Sequence, residues 1–363
     1  MQTSSSNQLS WLRTNGVYVA FLLFLIAFPF ILGALTESSP YGVPRGDRMI
    51  MRGESVRWQA VLIEVYIVSI LAMSYNLLFG FTGVISFGHA LFFGLAGYTL
   101  GLFFIDPLTS TWDSTVVLLV GSVCAIGLCG LVGLIMGLVT LRLRGVYFAI
   151  FTLAVAEMAF IFFGRWSHTR AEDGFALDKL PLWIDPSQNR LTFYYIALTL
   201  FAFTFVFIRR LIQSPTGAVF QAIRENEDRA QAIGYDTLRY KLFSITISAM
   251  LAGAAGLLQV LLNKKVGPEI LAVSNTVDPL LMTLIGGAGT LLGPIFGAAG
   301  LHLLEVFFRD SKLTLGTTVI DIASIWGLLL GVIFIAAVII FPYGIIGTWR
   351  RWRAQDQKGS SRT

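Results

Sequence analysis

A chain of 363 residues that is 55% hydrophobic and only 13% charged has about half the charge, roughly 25%, with which soluble domains cover themselves in water. Its apolar residues fall in long runs and not in the period-2 or period-3.6 stripes of a soluble core; with a mean hydropathy of +0.74 this excludes a soluble fold, and the lack of sustained alternation excludes a transmembrane β-barrel. The net charge of +5 sits in basic loops and gives nucleic-acid binding little support, so the chain reads as an all-α, polytopic integral membrane protein.

Residues 1–16 are polar, include Arg13, and are expected to form a cytoplasmic N-terminal tail. Val17 to Leu35, "VYVAFLLFLIAFPFILGAL", is longer than the roughly 7–15 apolar residues of a cleaved leader, so a retained first span is expected, with a leader as the alternative. "TESSPYGVPRGDRMIMRGESVR" follows and is too charged to lie in lipid. Further spans are predicted near 59–79, 84–105, 115–140, 146–164, 192–208, 242–262, 277–307 and 318–341, each reaching or nearly reaching the ~20 residues that cross a bilayer. Cys124 and Cys129 lie in one apolar run, where their spacing suits neither a zinc pair nor a disulfide; packing is the expected role. No metal site is expected.

Arginine and lysine in short loops favour the cytoplasm. Arg142 to Gly145, the loop 209–241 and the tail 349–363, with Arg350, Arg351, Arg353 and Lys358, are all marked as inside. The three agree only if 277–307 is not one helix. Its middle, "LIGGAGTLLGPIFGAAG", holds Gly286, Gly287, Gly289, Gly293 and Pro294, poor residues for a helix interior. The stretch is therefore expected to dip to the inner face and return, with these residues as hinges of a broken or re-entrant segment. That makes about nine to ten transmembrane segments, in a membrane domain of residues 17–348. The four arginines of the outside loop 36–58 run against the rule.

A second glycine-rich stretch, "GFTGVISFGHALFFGLAG" (80–97), reads as a tight turn at Gly80 to Gly83 feeding a glycine-notched helix. Gly83, Gly94, Gly97 and Gly101 would let helices approach closely. Intramembrane ionisable residues are costly and face the bundle interior; they are Glu64, His89, Glu157, Asp278, His302, Glu305 and Asp321. Glu64, Asp278 and Asp321 fall near span ends and are expected to reach the interface. His89 is either a packing hydrogen-bond donor or a path residue, and Glu157 is a path candidate. A proton relay through His89 and Glu157 would instead imply an ion-coupled secondary transporter, in which broken helices also occur.

The largest cytoplasmic feature is the loop 209–241. Within it "AIRENEDRAQAIG" has Glu225, Glu227, Asp228 and Arg229 followed by small residues and Gly234, the pattern of a short helix closed by glycine. No G-x-x-x-x-G-K-[ST] phosphate loop occurs, so the chain has no ATP site of its own and no catalytic centre is expected.

Four stretches together resemble the LivM-type permeases of bacterial branched-chain amino acid ABC importers: "YNLLFGFTGVISFGHALFFGLAGY" (75–98), "LRLRGVYFAIFTLA" (141–154), "AIRENEDRAQAIGYDTLRYKLFSITISAMLAGAAGLL" (222–258) and "LLMTLIGGAGTLLGPIFGA" (280–298). The resemblance runs from about residue 59 to 348 and implies the ABC importer permease fold. It also implies a multi-pass protein of the bacterial inner membrane that moves branched-chain or related aliphatic amino acids. A homologous permease as heterodimer partner, two ABC ATPase subunits holding ATP and magnesium, and an extracytoplasmic substrate-binding protein would complete it. The coupling-loop residues it carries over are Glu225, Asp228, Ala230, Ala232 and Gly234, which would dock on the ATPase. In these permeases the segment equivalent to 165–191 has a turn close to T-G-G-x-[DN]-G; here Thr169, Asp173 and Gly174 remain, but Arg170 and Ala171 stand at the two glycines. An aliphatic cargo needs no charge relay, and Phe87, Phe92 and Phe148, with His89 and Glu157, are the translocation-path candidates; the aromatics would otherwise pack or face lipid. A urea or short-amide cargo on the same machine is the nearest alternative.

Overall fold

The computed structural model describes residues 3–45, 48–106, 108–109, 111–143, 145–309, 312–315, 318–321, 326–341 and 344–348; the tail 349–363, with its inside-marking arginines, lies outside the described residues. In chain order the α-helices are α1 (Thr3–Leu35), α2 (Glu54–Asn76), α3 (His89–Ile105), α4 (Ser114–Thr140), α5 (Val146–Arg165), α6 (Arg190–Gln213), α7 (Pro215–Glu225), α8 (Glu227–Ala232), α9 (Thr237–Asn263), α10 (Ser274–Gly286), α11 (Gly293–Arg309) and α12 (Trp326–Ile340). Three short antiparallel pairs accompany them: β1 (Val43–Arg45) with β2 (Arg48–Ile50), β3 (Phe175–Ala176) with β4 (Lys265–Val266), and β5 (Lys312–Leu315) with β6 (Thr318–Asp321). Among the described residues six helices are long and apolar enough to cross a membrane: α1 from Gly16, α2 continued to Phe81, α4, α5, α6 and α9. At 17 residues each, α3 and α11 sit at the lower end of the roughly 17–25 that span hydrocarbon.

Residues 3–15 are helical and run into α1, whose membrane-length apolar part starts at Gly16. Three expectations change. The span placed at 84–105 becomes helical only at His89, because Gly83 takes a left-handed φ of 79° and residues 83–88 run on without helix. Consequently the turn lies not at Gly80, which is still inside a π-helical turn at Leu77–Phe81, but beyond it. The span placed at 318–341 starts as a strand, since Thr318, Val319 and Ile320 are β-branched, and its helix is α12 alone; Asp321 is a strand residue. The expected break in 277–307 is present as two helices, α10 and α11, separated by the loop 287–292.

The chain divides into two compact units, residues 1–63 with 182–202, and residues 64–181 with 203–363. In the first unit α1 is interrupted by Pro29, which has no N–H to donate to the carbonyl of Leu25. The Tyr194 hydroxyl donates to that carbonyl at 2.6 Å, and the Tyr195 hydroxyl donates to the next one, of Ile26, at 2.9 Å. Ser55 Oγ donates to the Pro29 carbonyl at 2.8 Å. The carbonyl freed by the proline is thus satisfied by a neighbouring side chain, as an apolar environment demands.

The second unit packs α3, α4 and α9 through small residues. Gly256 of α9 lies against the backbone of Phe93 in α3, and Gly253 lies against Cys129 of α4. Cys129 is buried and its thiol donates to the Phe92 carbonyl at 3.3 Å. Cys124 faces outward instead, so the packing role expected of both cysteines falls to one.

Residues 167–173 form two 3-10 turns, and Arg170 and Ala171 both take left-handed φ, 59° and 50°. Both residues carry a Cβ in a conformation that glycine adopts without strain, which costs about 1–2 kcal/mol per position. Ala171→Gly is therefore expected to stabilise the protein by about 1 kcal/mol, read as a higher midpoint of thermal unfolding in detergent; an unchanged or lower midpoint would count against the strain.

Candidate functional site

The loop between α6 and α9 is built as two braced helices. Ser214 caps α7, its hydroxyl accepting from the Gly217 N–H at 3.4 Å, with Pro215 at the first helical position, where its missing donor costs nothing. α7 turns Val219, Phe220 and Ile223 inward. Val219 and Ile223 cluster with Ala230 of α8, and Tyr240 of α9 packs on them. Asn226 ends α7 and starts α8, its extended backbone separating the helices and its Oδ1 accepting from the Arg229 N–H at 2.9 Å. Glu227 then ties α8 to α9: its carboxylate lies 2.5 Å from Lys241 Nζ and accepts from Thr237 Oγ1 at 3.1 Å. Gly234, at φ 98°, closes α8, as Gly234 N–H donates to Gln231 O at 2.9 Å and Tyr235 N–H to Ala230 O at 3.2 Å. That pair of bonds is the Schellman ending, which needs the left-handed residue glycine supplies.

Of the five coupling-loop residues, Ala230 is buried while Glu225, Asp228, Ala232 and Gly234 are exposed. The fold adds three residues that sequence reasoning missed: Ile233 is 67%, Tyr235 41% and Leu238 43% exposed. Beside them a shallow groove of about 440 Å³ is lined by Thr216, Gly234, Tyr235, Asp236, Arg239, Tyr240 and Phe243. The surface around α8 is apolar at Ile233, Tyr235 and Leu238 and is edged by charges of both signs, Glu225 and Asp228 with Arg229 and Arg239.

The two glycine-rich stretches meet directly behind this loop. Asn76, 2% exposed at the end of α2, donates through Nδ2 to the Thr290 carbonyl at 2.9 Å and accepts the Gly289 N–H on Oδ1 at 2.9 Å. Gly80, one turn on, has no space for a side chain: a Cβ there would overlap the Asn76 amide and lie 2.5 Å from the Gly289 nitrogen. Gly289 itself is left-handed, φ 76°. Thr290 then starts α11, its Oγ1 accepting from the Gly293 N–H at 3.0 Å. The Arg224 guanidinium, from the last turn of α7, donates to the Gly80 carbonyl. Of the hinge residues, Gly286, Gly287, Gly289 and Gly293 line the break between α10 and α11, with Pro294 in the first turn of α11. Gly83 lies apart from them on α2's side of the junction, against Arg224.

His89 opens α3 and is fully buried. Ser248 Oγ donates to the Ser74 carbonyl at 2.5 Å. Its remaining partner, His89 Nε2 at 2.9 Å, must therefore be the donor, which assigns the proton to Nε2. Tyr75 stacks edge-on at 4.8 Å. The imidazole thus links α3 to α9 and α2. His89→Ala would leave Ser248 without a donor and open a cavity, with an expected cost of about 2–3 kcal/mol. Thermal unfolding in detergent measures it, and a loss under about 1 kcal/mol would be too small for this bonding pattern.

The remaining path candidates are dispersed. Phe92 and Phe148 are 2% and 5% exposed, Phe148 packing with Leu78, Val84 and Ile245. Phe87 is half-buried with its N–H on Thr152 Oγ1 at 2.9 Å. Glu157 is half-buried on α5 and makes no hydrogen bond or ion pair among the described residues. Glu64, expected to reach the interface, is instead paired: its carboxylate is 3.0 Å from His302 Nε2, and Glu305 is 3.6 Å from His302 Nδ1. It lies ten residues into α2, where an ion-pair partner lowers the cost of a carboxylate in an apolar helix. Among the described residues no group of three His, Cys, Asp or Glu is placed to hold a metal ion.

Residues 58–338 match the family described as the permease component of branched-chain amino acid transport systems. The high-affinity branched-chain amino acid transport system permease protein LivM of Escherichia coli strain K12 is 29% identical over 341 residues, covering 86% of this chain and 75% of that protein. The Salmonella typhimurium protein of the same description gives the same identity and coverage. A probable branched-chain amino acid transport permease protein LivM of Methanocaldococcus jannaschii is 24% identical over 311 residues, 76% of this chain and 89% of its own length. No solved structure matches the chain.

Proposed function

The chain belongs to the family of branched-chain amino acid transport permeases and is a multi-pass membrane permease subunit, and from that premise we propose how it works. It moves branched-chain or related aliphatic amino acids inward across the bacterial inner membrane. Two ABC ATPases supply the energy, a homologous permease completes the membrane pore, and an extracytoplasmic binding protein delivers the cargo. ATP and magnesium are held by the ATPases, and this chain binds no cofactor.

One observation carries the coupling assignment: Ile233, Tyr235 and Leu238 are large, apolar and exposed on a loop too polar to lie in lipid. A solvated loop gains nothing from such exposure, whereas an apolar centre rimmed by charge is the anatomy of a protein contact. Small Ala232 lets a partner come close to α8, with Glu225 and Asp228 at the edge. Because α8 is clamped to α7 through Ala230 and to α9 through Glu227, closure of a partner cleft around it becomes a rigid-body push on the spans.

Ile233→Asp should leave the permease folded, since the side chain is largely exposed, but should reduce co-purification of the ATPases at least about tenfold, with uptake falling in step. Glu225 and Gly234 substitutions should act in the same direction. Undiminished assembly in all three would remove the coupling assignment. Uptake by vesicles containing this chain alone, driven by an ion gradient without ATP, would replace the importer with a secondary transporter.

A further inference from the structure

We propose that Arg224 is the positioning residue that carries a displacement of α7 into the membrane domain, holding the broken ends of α2 and of the α10–α11 hairpin to the coupling loop. The inference rests on the reading of α7 and α8 as the ATPase contact and adds the route inward from it.

Two segments remote in sequence, 80–83 and the 287–292 loop, converge on this one side chain. Its guanidinium bonds the carbonyl of Gly80, 144 residues away. Gly83 lies against its stem, where a Cβ would meet Arg224 Cγ at 3.0 Å and Cα at 3.1 Å. Gly289 lies against the guanidinium, so closely that a Cβ there would overlap it. Asn76 binds that same loop to α2 through two hydrogen bonds of 2.9 Å. Glycine leaves the arginine its room at two of these contacts: a Cβ at Gly289 would overlap the guanidinium and one at Gly83 would crowd its stem.

The backbone on the receiving side is irregular at every contact. Gly80 is in a π-helical turn, residues 83–88 are without helix, and residues 287–292 are a loop. Such breaks are where a helix bundle changes shape with little loss of packing. The backbone on the delivering side is rigid: α7 is capped by Ser214, ended by Asn226 and buried along Val219, Phe220 and Ile223. A push on α7 therefore moves Arg224 as part of a solid body against segments that can yield. Arginine suits the task because its planar fork can hold a carbonyl while lying flat between two backbones. A lysine ammonium is a flexible point charge and cannot do both.

The test uses the complete importer, with its ATPases, companion permease and binding protein, in proteoliposomes. ATP hydrolysis and uptake of radiolabelled leucine are measured on the same vesicles. Arg224→Ala, Arg224→Lys and Gly289→Ala are compared with wild type. Gly289→Ala matters most, because it disturbs the arginine from the membrane side without touching the exposed face of the coupling loop. The expected result is ATPase co-purification unchanged and uptake per ATP hydrolysed reduced about tenfold in Arg224→Ala and Gly289→Ala. Arg224→Lys should be reduced as well. Should Arg224→Ala fail to assemble, Arg224→Lys and Gly289→Ala decide the question, with thermal unfolding confirming that each is folded. Uptake per ATP within about twofold of wild type in Gly289→Ala, or Arg224→Ala losing ATPase binding while Gly289→Ala transports normally, overturns the proposal. If the wild-type chain binds no ATPase, the importer reading fails and not the route through Arg224.

Discussion

Gly256→Ala is expected to destabilise the permease by about 3 kcal/mol and to leave little monodisperse protein after extraction. The added Cβ would overlap the Phe93 carbonyl oxygen, lie 2.7 Å from its carbon and 3.0 Å from its Cα. All three obstacles are backbone, so no side chain can rotate away. The only relief is to push α3 and α9 apart, which would also disturb the His89–Ser248–Ser74 chain that joins α3, α9 and α2. Gly127→Ala is the matched control, because its Cβ would meet nothing within 4 Å. That substitution should be neutral or stabilising by up to about 1 kcal/mol from helix propensity. Equal melting of the two variants in detergent would mean that α3 and α9 do not pack as closely as described.

Asn76→Ala should be nearly as severe, at about 2–4 kcal/mol, and more damaging to transport than to folding. It strands two half-buried backbone groups, the Gly289 N–H and the Thr290 carbonyl, each costing up to about 1–3 kcal/mol when unpaired. Those groups sit in the loop that returns the α10–α11 hairpin, so the variant should release that loop first and the bundle second. Asn76→Asp sharpens the experiment: its carboxylate still accepts from Gly289 but cannot donate to Thr290. Transport should then be intermediate between wild type and Asn76→Ala. Proteolysis at the 287–292 loop should rise in the same order, and full protection in Asn76→Ala would rule out the bracing role.

Much of the fold is readable in the residues. Composition and apolar run length are enough for the membrane class, and the basic residues at 142–145, 209–241 and 349–363 agree with one another only if 277–307 is broken. The glycines and Pro294 name the place, because helix propensity is local. The coupling loop is legible for the same reason: Asn226, Gly234 and the acids between them are short-range capping chemistry. What cannot be read is long-range. Nothing near Arg224 in sequence points to Gly80 or Gly289, and Asn76 looks like one polar residue in an apolar span. A lone asparagine there is nonetheless a usable signal, since a buried amide must find partners. The pairing of Glu64 with His302, 238 residues away, is likewise long-range and has no local signal. The strand at Thr318 was hidden inside an apolar stretch whose β-branched residues suit a strand but fit a membrane helix by hydropathy.

The bonds at Asn76 also impose a timetable. A ribosome adds about 5–20 residues each second, and Gly289 follows Asn76 by 213 residues, so the amide waits for its partners for about 10–40 s at that speed. Arg224 arrives earlier, 144 residues behind Gly80, and reaches its carbonyl before the last hairpin exists. The nascent chain therefore gains its link to the coupling loop first and its final closure only when nearly all of it has been made. A chain halted before Gly289 keeps an unanswered amide in its apolar interior. The junction is thus completed late in synthesis, and a copy truncated before Gly289 leaves the Asn76 amide without these partners.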